Sequence, residues 1–159
     1  MVYEVEASRV LSRARDKGWM IAAAESCTGG LIFGALTEIA GASDVMDRGF
    51  VTYSNDAKSE MLSVPPALID VHGAVSEDVA AAMASGALAH SQADLSVSVT
   101  GVAGPGGTAS KPEGMVCFGI ATRENGVRTE TQQFGAIGRS AVRRATVAHA
   151  LGLLEKSLS

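Results

Sequence analysis

The sequence predicts an α/β fold, a three-layer α/β/α sandwich with a mixed, mostly parallel sheet. Three observations carry that expectation. Helical periodicity alternates with short apolar runs along most of the chain, the pattern of a sheet covered by helices on both faces. The last two strand-like runs are joined by Glu124-Asn125-Gly126-Val127, and an Asn-Gly pair is a tight-turn signal that makes them an antiparallel hairpin. Finally, 47% of the 159 residues are hydrophobic, which suits one domain, spanning 1–159, with a well-filled core.

The elements follow in order. Val5 to Lys17 carries apolar residues near helical spacing, and Gly18 is placed to end that helix. Trp19 to Ala24 is a short apolar run, read as a buried strand. Gly29 to Ile39 returns to helical composition and stops at Gly41. Residues 48–54, "RGFVTYS", have the aromatic and β-branched content of a strand. Residues 55–62 form a short helix with Asn55 as its expected N-cap and Asp56 in the first turn. Pro65 and Pro66 break that helix. Ser76 caps a long alanine-rich helix over 76–92. "DLSVSVTG", 94–101, alternates like a strand, and 102–114 is too rich in Gly and Pro for regular structure. Strands over Met115–Arg123 and Arg128–Phe134 follow, and a helix from Arg139 to Leu158 closes the chain.

Composition removes several function classes. No run approaches the ~20 apolar residues that span a bilayer, and the charged, amphipathic N-terminus lacks the apolar core of a signal peptide. The chain therefore reads as soluble and cytoplasmic, without a membrane partner. Its formal charge is −4 and it has no dense Lys/Arg block, which argues against nucleic acid. Cys27 and Cys117 are too few for a disulfide framework, and His72, His90 and His149 are scattered without zinc spacing. No metal is expected.

Three loops concentrate the reactive side chains, and ligands in open α/β sheets gather where strands lead into helices. The first is "ESCTGG", 25–30. Read alone, it serves equally as a helix start capped by Ser26 or Thr28, or as a catalytic turn. Gly29 and Gly30 let a ligand approach the backbone, and the free N–H groups of a helix start suit an anion. The segment is neither a Walker A motif nor G-x-S-x-G. Cys27 reads as a packing thiol, whereas Glu25, beside a buried strand, needs partners. The second loop brings Tyr53 and Lys58. A lysine drawn into a pocket loses its proton and serves a serine as base, although a solvated surface lysine is the plainer reading. Together these residues suggest a Ser26–Lys58–Tyr53 group. In the third, Thr100 ends a strand before Gly101, Gly104, Gly106 and Gly107, a composition suited to phosphate or ribose. Arg139 and Arg143 are either phosphate clamps or surface charges.

The segments "AESCTGG", "RGFVTYSNDAK", "HGAVSEDVA", "SVTGVAGPGG" and "KPEGMVCFGIA" and an Arg-containing last helix occur in an order and spacing that resemble the CinA C-terminal domain family. The likeness extends from about Val5 to the last helix. It implies an α/β/α fold, homo-oligomers and hydrolysis of the carboxamide of nicotinamide mononucleotide (NMN), with no metal or organic cofactor. It places the catalytic group on Ser26, Tyr53 and Lys58, with Thr100 and Arg139 lining the site. The backbone N–H groups around Thr28–Gly30 are then the expected oxyanion donors, and a pyridine mononucleotide the expected small-molecule substrate. A non-catalytic interaction module tied to competence or DNA-damage proteins is the alternative. A phosphate-transferring enzyme fits less well, since it would need a P-loop lysine or an acidic metal cluster.

Overall fold

The computed structural model describes residues 2–159. Five strands, β1 (Ile21–Glu25), β2 (Met46–Val51), β3 (Leu95–Gly101), β4 (Met115–Thr122) and β5 (Gly126–Gln133), form one sheet in the order β2-β1-β3-β4-β5. β1 pairs in parallel with β2 and β3, and β4 is antiparallel to both β3 and β5. β4 alone therefore runs against the other four strands, as a mixed, mostly parallel sheet requires.

Six helices cover the two faces: α1 (Glu4–Lys17), α2 (Leu31–Thr37), α3 (Asn55–Leu62), α4 (Pro66–His72), α5 (Glu77–Ala89) and α6 (Arg139–Ser157). On one face α1, α2 and α6 bury Val10, Leu11, Leu36, Val147 and Leu151 against Ile21, Val97, Val99 and Phe118. On the other, α3, α4 and α5 bury Leu62, Ile69, Val79 and Met83 against Ala22, Ala24 and Ala121. The second face is built from small residues because α5 lies close. The Ser96 and Ser98 hydroxyls donate to the Ala84 and Ala80 carbonyls at 2.7 and 2.6 Å. A Cβ at Gly119 would stand 2.6 Å from the Ala80 carbonyl. The Ser96 and Ser98 hydroxyls are thereby satisfied, which removes a desolvation cost of about 1–3 kcal/mol each.

Three local expectations change. The short helix α3 is capped by Ser54, whose Oγ accepts from the Ala57 N–H, and Asn55 is its first residue. Pro66 starts a helix as well as ending the segment before it, since a proline at the first helical position loses no hydrogen bond. β2 ends at Val51, so Tyr53 lies in the loop beyond the strand. Among the described residues no helix is long and apolar enough to cross a membrane, and no cluster of metal-binding side chains occurs.

Candidate active site

β1 and β3 lie side by side, yet α2 follows β1 on one face and α3 follows β2 on the other. Their carboxyl ends therefore open on a crevice, as at the switch points of other α/β sheets. A cleft of about 380 Å³ occupies this place, lined by Ser26, Cys27, Tyr53, Asn55, Lys58, Ala74, Val75, Thr100, Arg139 and the loop 101–106. This volume falls within the about 300–1,000 Å³ usual for small-molecule sites. The three hydroxyl- and glycine-rich loops thus meet around one opening.

At its floor Lys58 is 1% exposed and Ser26 8%. Lys58 Nζ is 3.1 Å from Ser26 Oγ and 3.1 Å from the Thr52 carbonyl oxygen. Lys58 has no carboxylate partner among the described salt bridges. Burial therefore holds its ammonium below the ordinary lysine range and outweighs the opposing influence of the neighbouring Cys27. Burial also pushes the Cys27 thiol up to about 11, which keeps it protonated and a poor nucleophile near neutral pH. Thr100 is buried beside them, its hydroxyl donating to the Ala74 carbonyl at 2.9 Å.

The rim is held by Arg139. Its Nη1 donates to the Gly104 carbonyl at 2.6 Å, and its Nη2 to the Tyr53 hydroxyl at 3.1 Å. Tyr53 is therefore a 63%-exposed rim residue tied to Arg139, and its hydroxyl makes no hydrogen bond to Lys58 or Ser26. Glu113 supports the same rim from behind. Its carboxylate accepts from the Gly106 N–H at 2.5 Å and packs under Gly104, whose φ of +90° and lack of Cβ allow that approach.

The remaining expected ligand-binding residues, Glu25, Thr28, Gly29, Gly30 and Arg143, are not among those that line the cleft. They build the turn that carries Ser26. Glu25 is buried, and its carboxylate accepts from Thr28 Oγ1 at 2.5 Å and from the N–H groups of Gly30, Ile32 and Phe33 at 3.2, 2.9 and 2.9 Å. It thereby caps α2, a short helix whose own N-terminal residue, Gly30, has no side chain to do so. Arg143 donates to the Cys27 and Thr28 carbonyls from the opposite side at 3.1 and 3.3 Å. The Gly29 N–H is taken by the Ser26 carbonyl and the Gly30 N–H by Glu25, so neither is free for an oxyanion.

Sequence reasoning missed Asn55, Ala74, Val75 and Glu113. The motif Lys111-Pro112-Glu113-Gly114 was visible, but only the fold shows that Glu113 turns back onto the Gly104–Gly106 loop.

The comparisons agree with this architecture. The CinA C-terminal domain model matches residues 4–158. A nicotinamide-nucleotide amidohydrolase PncC of Enterobacter agglomerans is 54% identical over 130 residues, covering 81% of this chain and 79% of that protein. A CinA-like protein of Syntrophobacter fumaroxidans is 47% identical over 92% of this chain. The chain spans about a third of that longer relative, 34%. The crystal structure of the competence/damage inducible protein CihA from Agrobacterium tumefaciens superposes with a TM-score of 0.93 at 50% identity, covering 98% of this chain and 94% of that one. The chain belongs to the CinA C-terminal domain family.

Proposed function

We propose that the protein is an amidohydrolase that converts nicotinamide mononucleotide to nicotinic acid mononucleotide and ammonia, with Ser26 as nucleophile and Lys58 as its base. The observation that carries this reading is the buried Lys58 Nζ, 3.1 Å from Ser26 Oγ at the floor of a small-molecule cleft. The similarity to an amidohydrolase acting on nicotinamide nucleotides supports the choice of substrate.

An amide resists hydrolysis because its carbon is a weak electrophile and its nitrogen a poor leaving group. In its amine form Lys58 keeps one N–H on the Thr52 carbonyl and turns its lone pair to the Ser26 hydroxyl. It takes that proton as Oγ attacks the carboxamide carbon. The Cys27 and Thr28 N–H groups, which donate to no protein acceptor among the described hydrogen bonds, are the donors left in this turn for the oxyanion. The proton on Lys58 then passes to the departing nitrogen, releasing ammonia and leaving an ester on Ser26. Water, deprotonated by the same amine, cleaves that ester to the carboxylate. Arg139, with Tyr53 and the 101–106 loop, holds the ribose phosphate, so that binding energy far from the amide positions it.

Ammonia release from NMN tests the assignment. The wild-type protein is expected to release one ammonia per nicotinic acid mononucleotide formed, and Ser26→Ala to lose about 10³-fold or more in turnover. A wild-type protein inert towards NMN overturns the substrate. Near wild-type turnover in Ser26→Ala overturns the covalent route in favour of directly activated water.

A further inference from the structure

β5 is an edge of the sheet: it pairs with β4 alone. Eight residues long, it has an unbroken register against β4, from Met115 opposite Gln133 to Thr122 opposite Gly126. Its sequence, Gly-Val-Arg-Thr-Glu-Thr-Gln-Gln, contains no proline, and no bulge turns the strand aside. A long, regular edge of this kind leaves a row of backbone donors and acceptors without strand partners. The opposite edge, β2, differs, because its charges Asp47 and Arg48 already pair with each other at 2.8 Å.

The side chains of β5 divide by face. Thr129 and Thr131 turn towards α5, where both hydroxyls donate to the Glu77 carboxylate at 2.9 and 2.7 Å. Arg128, Glu130 and Gln132 therefore occupy the α6 side. There Glu130 bonds His149 of α6, while Arg128 makes no ion pair among the described residues. Two adjoining hollows of about 380 and 360 Å³ flank this side of the strand, sharing Ile120, Arg128 and Lys156.

We propose that β5 pairs antiparallel with β5 of a second copy of this chain about a two-fold axis at Thr129, setting Arg128 of each copy opposite Glu130 of the other. Charge selects this register. A two-fold normal to the sheet must place some residue opposite itself, because any other offset would oppose side chains from different faces. Centred on Arg128, the pairing sets two arginines opposite each other. Centred on Glu130, it sets two glutamates together, and like charges in directly opposed positions destabilise a sheet. Centred on Thr129, both charged positions meet their opposites and Val127 meets Thr131.

The layers leave room for such a ten-stranded sheet. α5 packs chiefly over β3 and β4, so the two α5 helices would lie about three to four strand spacings apart, or ~14–19 Å. Helices in contact are about 8–10 Å apart, so they do not collide. α6 packs mainly over β3, further from the edge, so the hollows beside Arg128 from the two copies adjoin across the new seam.

The first test is cross-linking of Thr129→Cys under mild oxidation. The axis brings residue 129 of each copy to a Cα separation of about 4.5–5.5 Å, within disulfide range. The native thiols, Cys27 and Cys117, are buried and do not compete. A covalent dimer is expected from Thr129→Cys, with none from Gln133→Cys, which would lie well away from its own copy. The second test is sedimentation of Arg128→Glu and Glu130→Arg. Each alone is expected to weaken the wild-type dimer at least about tenfold, whereas an equimolar mixture, which restores both opposite-charge pairs, re-forms a dimer. Misfolding cannot produce that rescue. A monomeric wild type, failure of Thr129→Cys to cross-link, or variants that dimerise as the wild type does would each overturn the proposal.

Discussion

Lys58 Nζ lies 3.1 Å from Ser26 Oγ across 32 residues of sequence, and neither side chain has a carboxylate beside it to hold a proton on the amine. Thr52 joins the two halves of this contact. Its N–H donates to the Glu25 carbonyl at the end of β1, and its carbonyl accepts from Lys58. The parallel pairing of β1 with β2 thus sets the spacing of Lys58 and Ser26.

Because burial lowers the Lys58 pKa, the amine that the proposed mechanism requires gains population as pH rises through that lowered value. The ratio kcat/KM is expected to climb with pH and then level off, the plateau beginning below the ordinary lysine pKa of about 10.4. Lys58→Met should lose about 10³-fold or more of the activity and any residual rate should lack this limb. Stability moves in the same sense. The folded state binds fewer protons than the unfolded chain between the lowered pKa and about 10.4, so stability rises with pH across that window. Below it the full cost of the buried cation is present. Lys58→Met should therefore melt higher than wild type at neutral pH, by about 2–4 °C for each kcal/mol gained, and the gap should narrow towards pH 10. A methionine variant with a lower melting temperature at neutral pH would contradict a costly buried ammonium.

Cys27 is next to Ser26 and lines the cleft, yet its pKa of about 11 follows first from burial. The structure makes it a packing residue whose carbonyl is fixed by Arg143. Cys27→Ala is expected to keep turnover within about threefold of wild type, after a cavity cost of about 1 kcal/mol in stability. Thiol titration of the native protein should show slow labelling at pH 8. Loss of activity on the scale of Ser26→Ala would instead make the thiol a participant.

Glu25 tests the turn itself. Four donors converge on its buried carboxylate, so Glu25→Ala leaves them without acceptors, at a cost of about 3 kcal/mol. A fall in melting temperature of about 6–12 °C is expected. Glu25→Gln keeps the volume but turns an NH₂ towards one of the donors, and should fall between the two. Thermal melts check both. Unchanged melting would remove Glu25 from its capping role.

The sequence displayed the site as residue types and concealed it as geometry. Helix and strand order was readable because α5 and β3 have strong periodicity and good caps, and the Asn-Gly turn marks the hairpin. Ser26, Lys58 and Thr100 could be singled out because hydroxyls and a lysine at the ends of apolar runs need a reason. Glu25 and Arg143 were also singled out, but their purpose was not legible, since a buried carboxylate capping a helix and one touching a ligand look alike in sequence. Tyr53 shows the same limit. It lies two residues beyond the end of β2, where its hydroxyl meets Arg139 in place of the expected lysine. Helix α4 was hidden because Pro65-Pro66 signals a break as strongly as a start.

Glu113 extends the rim network by one residue beyond any that touches the cleft. It fixes Gly106 through a hydrogen bond and Gly104 through packing, while the Gly104 carbonyl in turn receives Arg139, which holds Tyr53. Removing the carboxylate leaves Ser26 and Lys58 untouched, so the cost should fall on binding rather than on the chemical step. Glu113→Ala is expected to raise KM for NMN about tenfold, equivalent to about 1.4 kcal/mol, with kcat within about threefold of wild type. Glu113→Gln retains a carbonyl oxygen for the Gly106 N–H and should recover most of that affinity. Steady-state kinetics separate the two parameters. Equal losses in kcat and kcat/KM would show that the loop acts in the transition state itself, because only interactions absent from the ground-state complex lower both together.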